Sequence, residues 1–438
     1  MLPSLWVPDE MNFIDHHRTQ PERYYAMHLL HPPPLITGTP TTCTPTAAAS
    51  PSGSTTTASA ASAASAATTD IPFALPSRLF GESADRPVIR SVDCHCAGLP
   101  ARIVLGGAPM PAGESSYERR HHVMHEQDWV RKLMITEPRG YPCQNVNIIY
   151  PSTHPEAAFG YVIGENNWVY PAMSGHNTIC VATALLETGC VPMTYPVTEF
   201  TLEAPAGLIK IRAECKDGKA EFVTFRNTAS FVGLRDVEIN VPGGVLDFPV
   251  RADVAYGGMW YAIVDAASVG LDLVPENGAE ISRLGEMIKI ACQEQHPVQH
   301  PELDYPGCDI LAFRGPPSEG SSAHARNAVV MSTGKLDWAK PGSWKGNIDR
   351  SPCGTGTSAI MAAMWDKGEL SIGEDFVHES ILGTLFTGRI VEETEIAGIP
   401  AIVPEITGQA WITQYSEVVR DPSDPFQEGY TVGDIWAS

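Results

Sequence analysis

The sequence is short of basic residues and of long uninterrupted apolar runs. Its 29 Lys and Arg residues face 51 Asp and Glu residues, which gives a formal net charge of −22 at pH 7. A surface of that charge repels nucleic acid and anionic membranes, so neither is expected as a partner. The most apolar segment, residues 254–274, is interrupted by Gly257, Gly258 and Asp265. The interruptions favour buried strands over a membrane span.

The sequence also lacks the common signatures of nucleotide, metal and secretory proteins. There is no phosphate-binding loop and no Gly-x-Gly-x-x-Gly fingerprint after a predicted strand. The ten cysteines have no regular spacing, which is typical of a reducing compartment, and they form no companion pairs at zinc-like spacing. No apolar stretch follows a basic start, so a secretory signal is not expected. We therefore predict a cytoplasmic protein without a metal site.

The first 87 residues differ in composition from the rest of the chain. Residues 38–70 are almost wholly Thr, Ala, Ser, Pro and Gly. Such a segment cannot bury enough apolar surface to offset the entropy lost on ordering. We expect residues 1–87 to be a disordered low-complexity extension that is dispensable for activity.

After residue 87, short apolar runs alternate with turn residues, which predicts a mixed α/β protein. Strands are predicted at 102–105, 146–150 and 208–211. Apolar residues at helical spacing predict helices over 115–134 and 279–293. The full chain of 438 residues, 43% of them hydrophobic, is long enough for two or three domains with buried cores.

The most informative stretch runs from Asp349 to Ala359 and reads as a loop entering a helix. It places Cys353 at or beside the first turn, where backbone N–H groups have no partner inside the helix. Those donors and the helix dipole favour a thiolate or a bound carboxylate, and they can lower the thiol pKa below its free value of ~8.5. Gly354 and Gly356 leave room for a small ligand. The alternatives are a buried structural thiol at Cys353 and a simple capping role for Asp349.

A second stretch, residues 173–178, repeats this arrangement. Ser174, Gly175 and His176 lead into another apolar helix that is predicted to end at Thr188. Two similar helix starts, one led by a thiol and one by a hydroxyl, predict two related lobes that face one ligand. From the residues alone, His176 is either a packing or capping residue or a general acid/base.

Together with several further segments, these two stretches make residues 88–438 resemble the proline racemase family. The family includes proline racemase, 4-hydroxyproline 2-epimerase and trans-3-hydroxy-L-proline dehydratase. The run from Asp349 to Ala359 is the most specific part of the resemblance. The other matching segments are Val92-Asp93-Cys94-His95, Glu137-Pro138-Arg139-Gly140, Ala255-Tyr256-Gly257-Gly258, Tyr261-Ala262-Ile263-Val264-Asp265-Ala266, Arg326-Asn327 and His378-Glu379-Ser380-Ile381-Leu382-Gly383-Thr384.

The resemblance implies an α/β fold of the diaminopimelate-epimerase type. In that fold two pseudo-symmetric lobes each wrap a sheet around a central helix, and the site lies in the cleft between them. We predict a first lobe over 88–243, a second lobe over 244–406, and a tail, 407–438, that returns to the first lobe. The resemblance also implies a homodimer, a hydroxyproline or proline substrate, and no cofactor.

The same resemblance implies roles for individual residues. Cys353 is expected to be catalytic, and Asp349 is expected to bind the ring nitrogen of the substrate. The positions expected to bind the substrate carboxylate, through backbone N–H groups, are Gly175, His176, Gly354 and Thr355.

Ser174 departs from the family pattern. Racemases and epimerases of the family carry Cys at this position as well as at the second site, and the usual dehydratase has Cys here and Thr at the second. A serine hydroxyl is a much poorer base than a thiolate unless a neighbouring base activates it. A smaller departure is Leu99, where the family commonly has an acidic residue.

Because of Ser174, the leading prediction is dehydration of trans-3-hydroxy-L-proline to a pyrroline-2-carboxylate. In this prediction Cys353 removes the α-proton, and the Ser174 hydroxyl hydrogen-bonds the departing hydroxyl. The alternatives are a 4-hydroxyproline 2-epimerase or proline racemase, with dual activity included, and a catalytically silent family member that binds an imino acid.

Overall fold

The computed structural model describes residues 87–437. The expectation of a disordered extension over residues 1–87 therefore lies, apart from Pro87, outside the described residues. The described part of the chain has five α-helices, which are α1 (Ser116–Glu126), α2 (Asp128–Ile135), α3 (Gly175–Glu187), α4 (Gly278–Gln295) and α5 (Gly354–Asp366). Three short 3-10 helices lie at Ala266–Val269, Pro275–Asn277 and Pro341–Ser343.

The strands of residues 87–437 are, in chain order, β1 (Val88–Cys96), β2 (Leu99–Gly106), β3 (Asn145–Tyr150), β4 (Phe159–Gly164), β5 (Val197–Ala204), β6 (Gly207–Lys216), β7 (Lys219–Arg226), β8 (Ser230–Ile239), β9 (Val250–Tyr256), β10 (Trp260–Asp265), β11 (Ile310–Gly315), β12 (Ala325–Ser332), β13 (Gly346–Ile348), β14 (Asp375–Glu379), β15 (Leu385–Ile396), β16 (Ile399–Gly408) and β17 (Ala410–Val419).

The strand pairings repeat in the same order in two halves of the molecule. In the first lobe β1–β2 is antiparallel, β2–β3 parallel, β3–β4 antiparallel, β4–β5 parallel, and β5–β6–β7 antiparallel. In the second lobe β9–β10, β10–β11, β11–β12, β12–β14 and β14–β15–β16 follow the same sequence of directions. The predicted two-lobed α/β architecture with pseudo-symmetry is confirmed.

One strand at the end of each half pairs with the other half. β8 pairs with β9, and β17 pairs with β1, both antiparallel. β16 also pairs with β7 and β8, which joins the two lobes at their sheets. The predicted division at 243/244 falls in the connection between β8 and β9, and it stays a prediction.

A central helix fills each lobe. α3 contacts β1, β2, β3, β7 and β17, and α5 contacts β8, β9, β10, β15 and β16. Nearly every residue of both helices is buried, because their sequences are apolar and small on all sides, as expected for a helix inside a core. The strands around them alternate instead. In β6, Ile209, Ile211, Ala213 and Cys215 are buried and the residues between them are exposed.

Most predicted elements lie where the sequence placed them. The strands predicted at 102–105, 146–150 and 208–211 lie within β2, β3 and β6, and the helix predicted at 279–293 lies within α4. The single helix predicted over 115–134 is wrong, because Gln127 leaves the helical conformation and separates α1 from α2. The break lets Asp128 begin α2, where its carboxylate accepts hydrogen bonds from Arg131 and from the Tyr170 hydroxyl. No helix within residues 87–437 is long and apolar enough to cross a membrane.

Candidate active site

The N-termini of the two central helices touch each other. α3 starts at Gly175 after Ser174, and α5 starts at Gly354 after Cys353. A Cβ atom on Gly175 would lie 2.7 Å from Gly354 Cα, and one on Gly354 would lie 2.9 Å from Gly175 Cα. Only glycine allows this approach. The contact brings Ser174 and Cys353 to one place between the lobes.

Each of these helix starts leaves backbone donors free for a ligand. The first helical hydrogen bonds run from Thr178 N to Ser174 O, at 3.0 Å, and from Thr357 N to Cys353 O, at 2.7 Å. The N–H groups that precede Thr178 and Thr357 have no partner within their own helical ladders. Because the dipoles of both helices end here with their positive ends, the place favours an anion such as a carboxylate.

Cys353 has a strained backbone. Its φ of 59° and ψ of 102° lie in a region that residues with a side chain rarely adopt, and such a conformation costs on the order of 1–3 kcal/mol. The thiol is buried, and its Sγ lies 3.3 Å from the hydroxyl oxygen of Tyr261. That hydroxyl is in turn 2.6 Å from Thr355 Oγ1. Strain of this kind concentrates at functional sites.

Burial, rather than the helix start, dominates the ionisation of Cys353. Burial raises the pKa of the thiol well above its ordinary value, and the negative charge of Asp349 raises it further. The Tyr261 hydroxyl, the Gly356 N–H and the Thr355 hydroxyl act in the opposite direction. The expectation that the helix start lowers this pKa is therefore wrong, because the thiolate loses more solvation than these donors replace.

Asp349 is a buried carboxylate held by the turn that enters α5. Its Oδ1 accepts hydrogen bonds from Ser351 N at 2.7 Å and from Ser351 Oγ at 2.8 Å. Ser351 Oγ also accepts a hydrogen bond from Cys353 N at 3.1 Å. Burial raises the pKa of Asp349 to about 6, although the Ser351 hydrogen bonds oppose the shift. The carboxylate therefore caps the turn and remains close enough to Cys353 to influence its charge.

Ser174 has two side-chain neighbours of its own. Asn177 Nδ2 donates to Ser174 Oγ at 3.0 Å, and His176 Nδ1 lies 3.3 Å from the same oxygen. Burial lowers the pKa of His176 to about 3, so the imidazole is neutral near pH 7. A hydroxyl beside a neutral imidazole has a partner for proton exchange.

A second layer of polar groups lies behind His176. Its Nε2 is 3.1 Å from Asn145 Nδ2, and the same amide nitrogen donates to Glu165 Oε1 at 3.2 Å. Burial raises the pKa of Glu165 to about 8, and the charges of Asp349 and Asp309 add to the shift. A carboxyl group with this pKa exchanges its proton near neutral pH.

All residues that the sequence singled out for the site lie at the paired helix starts or the turn entering α5. They are Ser174, Gly175, His176, Asp349, Cys353, Gly354 and Thr355. Leu99 is fully buried in β2, which indicates a packing role.

Sequence reasoning missed four residues around the site: Tyr261, Asn145, Glu165 and Asn177. Tyr261 lies in one of the segments that match the family, and Asn177 lies in the repeated stretch, so the sequence contained a signal for both residues. Asn145 and Glu165 come from β3 and from the end of β4, and no local pattern marks them. Within residues 87–437, no group of three or more His, Cys, Asp or Glu side chains is arranged to hold a metal ion.

The two lobes bring a thiol and a hydroxyl together at touching helix starts, and comparison with known proteins gives the family. The family model described as proline racemase matches residues 91–431. This chain belongs to the proline racemase family.

Relatives of known sequence or structure agree with that assignment. The chain is 42% identical over 344 residues to a 4-hydroxyproline 2-epimerase of Streptosporangium roseum. The matched residues make up 78% of this chain and 98% of the relative. A probable proline racemase from Agrobacterium radiobacter K84, solved with bound carbonate, is 36% identical with a TM-score of 0.72. A hydroxyproline epimerase from Agrobacterium vitis, solved with bound trans-4-OH-L-proline, is 32% identical with a TM-score of 0.72. Each of these two structural matches covers 80% of this chain and 98% of the solved chain.

Proposed function

We propose that this enzyme inverts Cα of 4-hydroxyproline by proton transfer between two faces, without a cofactor. The observation that carries the proposal is the contact between the two helix starts, which brings together the residues that precede them, Cys353 with its thiol and Ser174 with its hydroxyl. A 4-hydroxyproline 2-epimerase among the relatives supports this choice of substrate.

The substrate carboxylate binds the free N–H groups at Gly175, His176, Gly354 and Thr355. These fixed dipoles stabilise the negative charge that spreads onto the carboxylate when Cα loses its proton. The cationic ring nitrogen lies against Asp349. Its positive charge offsets the carboxylate that raises the pKa of Cys353, so substrate binding itself favours the thiolate.

Cys353 acts on one face of Cα and Ser174 on the other. In one direction the thiolate takes the α-proton and the Ser174 hydroxyl supplies a proton from the opposite side. His176 and Asn177, which contact Ser174 Oγ, make the hydroxyl a better acid/base than an isolated serine.

Dehydration of trans-3-hydroxy-L-proline is the second candidate reaction. Removal of the α-proton by Cys353 leaves a carbanion that can expel a hydroxyl from the neighbouring carbon. The specific observation in its favour is Ser174 itself, because a hydroxyl hydrogen-bonds a departing oxygen better than sulfur does. A cytoplasmic location and a homodimer remain predictions.

Incubation of the purified protein in deuterated water tests these proposals. The substrates are 4-hydroxyproline isomers, trans-3-hydroxy-L-proline and proline, followed by mass spectrometry and chiral chromatography. Epimerisation predicts α-deuteration with inversion of 4-hydroxyproline, and dehydration predicts a pyrroline. Absence of any reaction at Cα with all substrates would overturn both proposals and leave the catalytically silent family member as the remaining interpretation.

A further inference from the structure

We propose that Glu165 is a positioning residue for the second face of the reaction. It acts through a chain of side chains that ends on Ser174, and it decides whether that hydroxyl gives or takes a proton. The inference rests on the proposed function, because it concerns the same α-proton.

The chain of contacts is continuous and buried. Asn145 Nδ2 is shared between Glu165 Oε1, at 3.2 Å, and His176 Nε2, at 3.1 Å. His176 Nδ1 then lies 3.3 Å from Ser174 Oγ. All four residues are less than a tenth exposed, which limits the contact of their polar atoms with water. The position of each proton is therefore coupled to the next.

With Glu165 ionised, the chain makes Ser174 a proton donor. The two amide hydrogens of Asn145 go to the carboxylate and to His176 Nε2, so the neutral ring carries its own proton on Nδ1. Ser174 Oγ then accepts hydrogen bonds from His176 Nδ1 and from Asn177 Nδ2, and its own proton is free. That proton moves to the carbanion at Cα as the O–H bond breaks and the C–H bond forms. The two N–H groups hold the alkoxide until, after product release, water carries a proton from the Cys353 thiol to Ser174 Oγ and so restores the thiolate and the hydroxyl.

With Glu165 protonated, the chain makes Ser174 a proton acceptor. The Asn145 amide turns over, and its oxygen accepts from the carboxylic acid and from His176 Nε2–H. His176 Nδ1 now has no proton and accepts the Ser174 hydroxyl. Ser174 takes the α-proton while its own proton passes to Nδ1, which leaves an imidazolium and a carbanion. The Cys353 thiol reprotonates the carbanion from the other face.

The charges around Glu165 favour an exchange between these two arrangements near neutral pH. Asp349, from the turn before α5, and Asp309, before β11, both disfavour its ionisation. On α3, His176 shares the Asn145 amide with Glu165, and its lowered pKa keeps the ring neutral. From α2, Arg131 Nη1 donates to the backbone oxygen of Glu165 at 3.1 Å and not to the carboxylate.

The test measures loss of the α-hydrogen into deuterated water from each 2-epimer of 4-hydroxyproline. Rates are taken from about pH 6 to about pH 10. The epimer whose α-hydrogen loss is abolished by Cys353→Ser is the one that faces Cys353, and the other faces Ser174. Glu165→Gln removes the titrating group, and Asn145→Ala removes the link. Glu203→Gln is the matched control, since Glu203 is another buried carboxylate. Its hydrogen bonds come from Ser152 and Thr153, and it is not part of the series of side chains from Glu165 to Ser174.

In the wild type, α-hydrogen loss from the epimer that faces Ser174 should fall as pH rises through about 8, the pKa of Glu165. Glu165→Gln should remove that pH dependence. Asn145→Ala should remove it and also lower the rate roughly tenfold, the effect of one lost hydrogen bond. Rates from the Cys353 face should stay within about twofold in both variants, which also shows that they are folded. Glu203→Gln should keep the wild-type profile.

The outcomes separate the inference from the proposed function. If neither epimer loses its α-hydrogen in the wild type, the proposed function is wrong. If both epimers exchange but the pH dependence on the Ser174 face is absent in the wild type, the positioning role of Glu165 is wrong. The same conclusion holds if that dependence survives Glu165→Gln, or if both faces slow equally.

Discussion

At the scale of the residue, Cys353 combines features with opposite effects on its reactivity. The helix start and the Tyr261 hydroxyl favour a thiolate, whereas burial and the Asp349 carboxylate oppose it. Burial is the larger of the two opposing effects, and a cationic group beside Asp349 would offset the smaller one.

This balance predicts the effect of removing the Asp349 charge. Asp349→Asn should lower the pKa of the Cys353 thiol, because a like charge that raises it is lost. The rate of alkylation of Cys353 by iodoacetamide should therefore begin to rise at a lower pH than in the wild type. Peptide mass spectrometry measures the rate at each pH. The exposed thiol of Cys190 serves as the internal control and should react equally in both proteins. An unchanged or raised onset for Cys353 would contradict the prediction.

Variants of Ser174 separate the two faces of the reaction. Ser174→Ala should reduce inversion of 4-hydroxyproline roughly 10²–10⁴-fold, the usual contribution of one acid/base group, and should leave α-hydrogen exchange from the Cys353 face. Ser174→Cys should raise inversion, because a thiol exchanges its proton more readily than a hydroxyl, and dehydration should fall or stay level. Cys353→Ser should abolish both net reactions. Initial rates of inversion and of water loss measure all three. Unchanged inversion in both Ser174 variants would remove Ser174 from the reaction.

At the scale of the element, the site depends on how closely α3 and α5 approach each other. Gly175→Ala places a Cβ 2.7 Å from Gly354 Cα and 2.8 Å from the Phe225 ring, so the two helix starts must move apart. We expect loss of most activity and a decrease of roughly 1–3 kcal/mol in the free energy of unfolding. Turnover assays and urea unfolding measure the two effects.

Gly342→Ala is the matched control for this change, because a Cβ at Gly342 has no neighbour within 4 Å. It should leave turnover and stability near the wild-type values. If Gly175→Ala behaves like Gly342→Ala, the contact between the helix starts is not what organises the site.

At the scale of the whole molecule, the site residues named above all lie between Asn145 and Thr355, within the two lobes. β1 starts at Val88, and Pro87 O accepts a hydrogen bond from Arg420 N at 3.0 Å. Deletion of residues 1–86 keeps both partners of that bond. We expect the shortened protein to fold and to retain full turnover, as measured by steady-state kinetics and circular dichroism. A shortened protein that folds but loses most turnover would show that the extension takes part in the reaction.

The sequence alone determined the local features of this protein. The glycines, the hydroxyl or thiol, and the apolar residues that follow them mark the starts of α3 and α5 within a few residues of chain. Alternating burial in β6 and helical spacing in α4 are equally local. These patterns were sufficient to predict two related lobes and to name Cys353 and Ser174, because helix starts and strand faces depend on neighbours along the chain.

Tertiary structure decided the properties that depend on neighbours in space. The raised pKa of Cys353 follows from burial between the lobes, which a local helix start does not reveal. Asn145 contacts both Glu165 and His176 because β3 pairs with β4 and also packs against α3, and no spacing in the sequence records that approach. The break between α1 and α2 likewise depends on the partners that Asp128 finds. Solvation and long-range contacts are set by the folded chain, and it is these that decide how a predicted site titrates and which residues support it.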